Sequence, residues 1–551
     1  RRARLKKVKK EEQPKPALVI LDLTSGVLDT IHRIKSFDHP KEGVEWVAVL
    51  LEKELPKKEE TKDSTETEEQ KGGEDNGVWL VPPTPSGKKK EKEKGDRLMI
   101  RPMGDSTTFI LRGVRSYRIP KQGKDVFIIR EEIDSLNPSG VFRFDLNSRE
   151  LVPMDTSGEN YSQLSMDETG KHVSWLVTND TIKDKEKHHW IMRGLRDGTS
   201  FVLDSNSQGL PEGWRISPFA SARFSELGER MWVQLQPKPK EFEEDSTILD
   251  DEKVKVDIWS WKDDLIQPMQ LKNKSRELER GFWASVDNKV KRLTPLENEN
   301  LEIAGFDLDH LTEWLPAYDE TPYRKRLSWD YPTYNDLYVV SSRTGKARKI
   351  TERVQARPQV SPGGKYVYWY DNVLQQWKIQ DIDGGEIRVL SMKIPHPVYD
   401  VENDIPAPAY PYGISGWAQK DRFVLIYDRF DIWKVDPSNL KAVPLTHGRD
   451  ENGKTQYRRV DLDREDPFLK KDKWLLLGFN EGTKEQRLVW MDPNNGDMTL
   501  WDQGEIRYRT ILKVKDEDVF VIRKENFVSY PEIYVASGPK EVLKKLSITN
   551  P

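Results

Sequence analysis

One short pattern recurs along this chain. It is an apolar residue, a serine, a polar turn with glycine, a charged residue, and then a run of β-branched and aromatic side chains. LSMDETGKHVSWLV (164–177), FSELGERMWVQLQ (224–236) and VSPGGKYVYWYD (360–371) are three copies. Their serines are Ser165, Ser225 and Ser361, and their glycines Gly170, Gly228 and Gly364. Proline presets φ and glycine accepts positive φ, so these are turns leading into strands.

A second element follows each turn, and it reads as a hairpin. NDLYVVSSRTGKARKIT (335–351), SGVFRFDLNSRELVPMD (139–155), FDIWKVDPSNLKAVPLT (430–446), RLVWMDPNNGDMTLWD (487–502), WKIQDIDGGEIRVLS (377–391) and PEIYVASGPKEVLKKLS (531–547) share one plan. PALVILDLTSGVLDTI (16–31) is an earlier copy, the outer half of a unit whose inner strands lie elsewhere. An aromatic before the turn marks the repeat near Phe142, Trp190, Trp259, Tyr338, Trp377, Trp433, Trp490 and Tyr534. The steps run from about 40 to about 80 residues, a blade-like period stretched by loop insertions.

Helical periodicity is scarce, and the one sizeable candidate, near 299–313, lacks a clean apolar stripe. A small sheet of this kind cannot bury both faces alone, whereas radial stacking covers both. The expected fold is therefore an all-β propeller, with seven or eight blades in one ring preferred to two propellers in series. The whole of 1–551 is expected to be propeller. Two charged low-complexity stretches, 53–76 and 82–96, read as loop insertions, as does the acidic 240–252.

Only 36% of the 551 residues are apolar, but 18 Trp, 18 Tyr and 17 Phe supply large buried surfaces. A net charge of −4 gives no overall basic field, so nucleic acid is not an expected partner. The basic start, RRARLKKVKK, reads as a solvated edge rather than a polyanion-binding arm. Absence of cysteine excludes disulfides, thiol catalysis and cysteine zinc sites. The longest apolar runs, WLLLGF (474–479) and FVLIY (423–427), are too short to span a bilayer. No signal peptide is visible, and the chain opens on Arg rather than Met.

Catalytic motifs are wanting. A G-x-S-x-G elbow presents a nucleophile on a strand-to-helix turn; the nearest segment, Gly413-Ile414-Ser415-Gly416-Trp417, lacks the last glycine and reads as a loop. The histidines show no H-E-x-x-H spacing, and adjacent His188 and His189 would point to opposite faces of a strand. Asp-rich segments 381–386, 461–466 and 492–497 do not match a complete calcium loop and suit hairpin turns. No metal, cofactor or catalytic residue is assigned. The candidate binding residues are Glu131 and Glu132, adjacent carboxylates able to hold a substrate's ammonium group at a propeller mouth; a polar loop leaving the strand 126–130 is the plainer reading.

ARPQVSPGGKYVYWYD (356–371), DIWKVDPSNLKAVPLTHGRDENG (431–453) and the terminal FVSYPEIYVASGPKEVLKKLSITNP (527–551) resemble TolB-like blades. More specifically, they are similar to the propeller of prolyl-oligopeptidase-type serine peptidases, in the large bacterial envelope versions typical of Bacteroidetes. The resemblance implies a non-catalytic propeller that gates and positions peptide substrates for a C-terminal α/β-hydrolase domain, which this chain does not contain. It also implies an extracytoplasmic location, in the periplasm or cell envelope, and no cofactor. A stand-alone periplasmic protein-binding scaffold is the alternative. A propeller enzyme with a central-channel site is the third reading, for which the sequence isolates no residues.

Overall fold

The computed structural model describes residues 15–21, 27–43, 45–52, 78–79, 95–103, 107–180, 188–239, 252, 256–287, 292–305, 312–515, 517–538 and 541–549. The chain forms two compact units, residues 1–248 with 278–295 and residues 249–277 with 296–551.

Each unit is built mainly of antiparallel meanders; in the first, Val78–Trp79 pairs in parallel with Phe109–Arg118. Among the described residues the second unit has five four-stranded sheets. One of them runs Gln359–Val360, Tyr366–Asp371, Gln376–Asp381, Arg388–Val389. The next runs Ile414–Trp417, Val424–Tyr427, Ile432–Val435, Ala442–Pro444, and the next Thr455–Arg459, Trp474–Asn480, Gln486–Met491, Met498–Gly504. Among its described residues the first unit has a hairpin at Leu18–Leu21 and Leu28–Ile31, an eight-stranded sheet, a four-stranded sheet and a five-stranded sheet. In the eight-stranded sheet, strand Phe109–Arg118 changes register between Val114 and Ser116. Its first half pairs with Asp96–Pro102 and its second with Asp125–Arg130, so one bent strand serves two meanders.

Alternation along the inner strands explains the stacking. Val424 and Ile426 pack with Tyr366, Tyr368, Trp377 and Ile379 of the preceding sheet. Leu425 and Tyr427, pointing the other way, pack with Tyr457, Trp474 and Leu476 of the following sheet. The next inner strand repeats this: Leu476 faces back, and Leu475 faces on to Tyr508, Phe520 and Ile522. In the first unit Val126 and Ile128 join Ala48 and Leu98, whereas Phe127 and Ile129 join Tyr161 and Trp175. A period of two with both faces covered is a strand held between two neighbouring sheets. Each large side chain buried this way contributes roughly 1.5–3 kcal/mol. This is the all-β, propeller-type architecture expected from the repeats, with few helices.

The recurrent turn has a common skeleton. Asp167, Ser225 and Ser361 each donate N–H to the carbonyl five residues on, at 3.0, 3.0 and 2.9 Å. Three residues on, Gly170, Gly228 and Gly364 take φ of +73°, +69° and +71°. The Oγ of Ser225 and of Ser361 accepts the backbone N–H five residues ahead, both at 3.0 Å. In the 164–177 copy Asp167 performs this job, accepting from the His172 N–H at 3.2 Å. Ser165, which the sequence pattern aligns there, instead donates to the Ala222 carbonyl.

The five-residue closure does not need serine or glycine. Ala418 and Val514 make it without either, both at 2.9 Å. In the first of these, Asp421 occupies the left-handed position at φ +52°. Its carboxylate reaches the turn of the preceding sheet, accepting from Ser361 Oγ at 2.6 Å, Gly363 N–H at 2.9 Å and Lys365 N–H at 3.1 Å. A Cβ on Gly363 would sit 2.6 Å from Asp421 Oδ2, so glycine is needed there for close approach. One turn thus latches the next.

Three expectations are corrected or bounded. Trp259 does not mark a strand: it is 68% exposed and lies in the long insertion between Met231–Pro237 and Phe282–Val286. Trp232 and Trp283 occupy the strands of that sheet. The same insertion holds a helix, Gln267–Glu279, which buries no residue and so has no apolar stripe to announce it. Residues 53–76 and 82–94 lie outside the described residues, and Asp96 already opens a strand. Among the described residues no helix is long and apolar enough to cross a membrane.

Candidate functional site

In the second unit the strands Val424–Tyr427 and Ile432–Val435 are joined by the tight turn Asp428-Arg429-Phe430-Asp431. Asp428, with a side chain wholly out of solvent, organises it. One carboxylate oxygen accepts the N–H groups of Phe430 and Asp431, both at 2.7 Å. The other accepts the Trp433 indole N–H at 3.0 Å and Arg449 Nη2 at 3.0 Å. Phe430 is thereby turned inward, and Arg429 is left at the rim.

Asp431, also buried, fixes the segment that carries Arg449. It accepts from Thr446 Oγ1 at 2.8 Å and from the Gly448 N–H at 2.6 Å. Burial raises its pKa above the ordinary carboxylate range, a tendency the Thr446 and Gly448 hydrogen bonds oppose. Arg458 completes the frame, donating to the carbonyls of Asp428 and Arg429 at 3.1 and 3.0 Å.

Three cations consequently gather around one phenyl ring. Arg429, Arg449 and Lys454 lie 5.2, 4.9 and 5.7 Å from the Phe430 centroid. They line a cavity of about 290 Å³ together with Glu481, and Pro397 and Val401 close it from the loop before the 414–444 sheet. The Tyr412 hydroxyl receives the Val401 N–H at 3.2 Å and tethers that loop.

The charges are not equally spent. Arg429 is held by both oxygens of Glu481, at 2.9 and 3.0 Å, and also meets Glu402. Arg449 gives Nη2 to Asp428; its Nε is buried without an acceptor. Lys454 makes no ion pair among the described residues. A second cavity, in the first unit and about 320 Å³, includes Lys121 and Asp167. There Lys121 is paired with Glu168 at 2.8 Å and Asp167 with His172 at 2.8 Å. Lys41 and Arg118 line this second cavity too, but the 290 Å³ cavity gathers three cations about one ring and is taken as the candidate for a ligand.

The residues singled out in the sequence lie elsewhere. Glu131 and Glu132 follow strand Asp125–Arg130 in the first unit, Glu131 half-buried and Glu132 exposed. The Glu131 N–H is bonded to the Gly113 carbonyl at 2.8 Å, and Asp134 closes the loop by accepting from Leu136, Asn137 and the Asn137 amide, each at 2.9 Å. Ser415 sits in strand Ile414–Trp417, with its Oγ receiving Arg459 Nε at 3.0 Å. His188 is buried and His189 exposed. Among the described residues no three His, Asp or Glu side chains are grouped to hold a metal ion. The cavity's cations were not legible beforehand, although Asp428-Arg429 directly precedes the quoted hairpin 430–446.

No protein-family model matches the chain, and no curated protein does. Solved structures with low similarity include puromycin hydrolase, at 13% identity and a TM-score of 0.29, covering 71% of this chain and 54% of that one. Dipeptidyl peptidase 4 of Porphyromonas gingivalis matches at 7% identity and 0.35, covering 77% and 57%. The β-propeller domain of the Trilobed protease from Pyrococcus furiosus matches at 11% and 0.26, covering 79% and 96%. The chain thus spans little more than half the length of the first two. Its all-β, propeller-type fold rests on its own strand topology, not on these likenesses.

Proposed function

We propose that residues 1–551 form the non-catalytic propeller of a serine peptidase, admitting peptides to an α/β-hydrolase domain outside this chain and helping to position them. The observation that supports this most is the stacked meander architecture, written in blades whose text resembles that peptidase group from Ser361 to the terminal 527–551. Stacked sheets are stiff, and their loops form a rim. Such a rim admits narrow, extended peptides and holds back folded proteins, and it keeps water from the reacting centre, which strengthens electrostatics there. The setting would be extracytoplasmic, in a bacterial envelope. Glu131 and Glu132 are the carboxylates proposed to meet a peptide's ammonium group.

Isothermal titration of the full chain tests this reading. Short peptides with a free amino terminus are expected to bind without being cleaved. The double change Glu131→Gln, Glu132→Gln is expected to weaken them roughly tenfold, the scale of one charge-assisted contact, with N-acetylated peptides unaffected. Binding of folded envelope proteins but not of peptides would overturn the gate in favour of a stand-alone scaffold.

A further inference from the structure

We propose that the cavity beside Phe430 is a carboxylate-binding site, and that its ligand is the carboxylate of a peptide, either the C-terminal group or an acidic side chain. The preference for an anion rests on the geometry alone; the peptide as its source rests on the reading above.

The charge accounting selects the anion. Among the cavity-lining groups, Arg429 is neutralised by a bidentate Glu481 and also meets Glu402. Arg449 is held through Nη2 by Asp428, and among the described residues its Nη1 has no acceptor. Among the described residues Lys454 keeps all three ammonium donors. The backbone places Lys454 there firmly: its N–H is bonded to the Glu451 carbonyl and its carbonyl receives the Glu481 N–H, both at 2.9 Å. What remains is Lys454, the lining cation with no carboxylate partner among the described residues, together with Arg449 Nη1: two groups able to donate. That matches one carboxylate. A phosphate dianion would need the Arg429 fork as well, which Glu481 already fills.

Size and lining agree. A cavity of about 290 Å³ accommodates a side chain or a chain terminus but is at the bottom of the range for cofactor sites. Pro397 and Val401 give it an apolar wall suited to the methylenes next to a carboxylate. The Arg429–Glu481 pair, tied down by Gln456 Nε2 on Glu481 at 2.6 Å, forms a fixed polar edge.

The test is titration of the full chain with acetyl-triglycine, its C-terminal amide, acetyl-triglycine amide with one Gly replaced by Glu, sodium acetate and inorganic phosphate. The expected result is that acetyl-triglycine or the Glu peptide binds more tightly than the neutral amide, and that Lys454→Gln reduces this preference roughly fivefold, the scale of one exposed ion pair. Lys454 is exposed, so the variant should retain the parent's thermal unfolding. Tighter binding of acetyl-triglycine identifies a C-terminal group, and tighter binding of the Glu peptide an acidic side chain. Acetate binding that Lys454→Gln weakens, with no peptide bound, would uphold the carboxylate site and overturn the peptide as its source. Binding of acetyl-triglycine and of the Glu peptide no tighter than that of the neutral amide, with no acetate bound, unchanged preference in Lys454→Gln, or phosphate binding above every carboxylate would overturn the site.

Discussion

Replacing Asp428 by alanine is expected to remove roughly 3–5 kcal/mol from the unfolding free energy of the second unit, the cost of breaking a buried charged network by deleting one partner. The carboxylate has no exposure and accepts four donors: two backbone N–H groups, the Trp433 indole and Arg449. Alanine leaves these donors without their acceptor in a dry turn, and each buried orphan costs about 1–3 kcal/mol before relaxation. Asp428→Asn keeps one carbonyl oxygen for the Phe430 and Asp431 N–H groups but turns an amide NH₂ towards Trp433 and Arg449. It should fall between parent and alanine. Urea unfolding followed by tryptophan fluorescence measures the series. A loss below about 1 kcal/mol for alanine, the net worth of a single ordinary hydrogen bond, would show that the turn does not depend on Asp428.

Asp421→Ala carries the second large effect, about 2–4 kcal/mol from three lost hydrogen bonds to the neighbouring turn. Asp421 adds a second handle because its φ is +52°. Alanine keeps the strain of that left-handed position, and glycine relieves it by about 1 kcal/mol. Asp421→Gly should therefore be less destabilising than Asp421→Ala although it removes the same carboxylate. The reverse order in a denaturant titration would mean that the backbone at 421 is not left-handed, and the latch between the two turns would fall with it.

These two aspartates also show what the sequence makes legible. The Ser361-Pro362-Gly363-Gly364 turn and the strand after it could be read directly, because proline, glycine and a run of aromatics act locally. The same turn at Ala418–Phe423 could not, because its closure is made by backbone atoms and its left-handed residue is an aspartate. Asp167 in place of Ser165 is the same difficulty on a small scale: the oxygen matters, and either residue type supplies one. The helix at Gln267–Glu279 carries no such local signal because it buries no residue. Trp259 misled because an aromatic in an insertion has the same spelling as one in a strand.

The candidate site was less legible than the fold. Val401, Arg429, the connection that carries both Arg449 and Lys454, and Glu481 are four separate segments, and the stacking of consecutive sheets brings them together. No local spacing announces that convergence. By contrast, Glu131 and Glu132 stand out in the sequence because they are adjacent.

Peptide-resolved hydrogen exchange on the intact chain is the most direct test of the claim beneath all of this, that greasy ribbons survive by being pressed between their neighbours. Strands Tyr366–Asp371, Val424–Tyr427 and Trp474–Asn480 are paired on both sides and should be the slowest to exchange. The outer strands Arg388–Val389 and Lys544–Lys545 and the unburied helix Gln267–Glu279 should exchange early. Strong protection concentrated in 267–279, with the three central strands exchanging as freely as the outer ones, would contradict it.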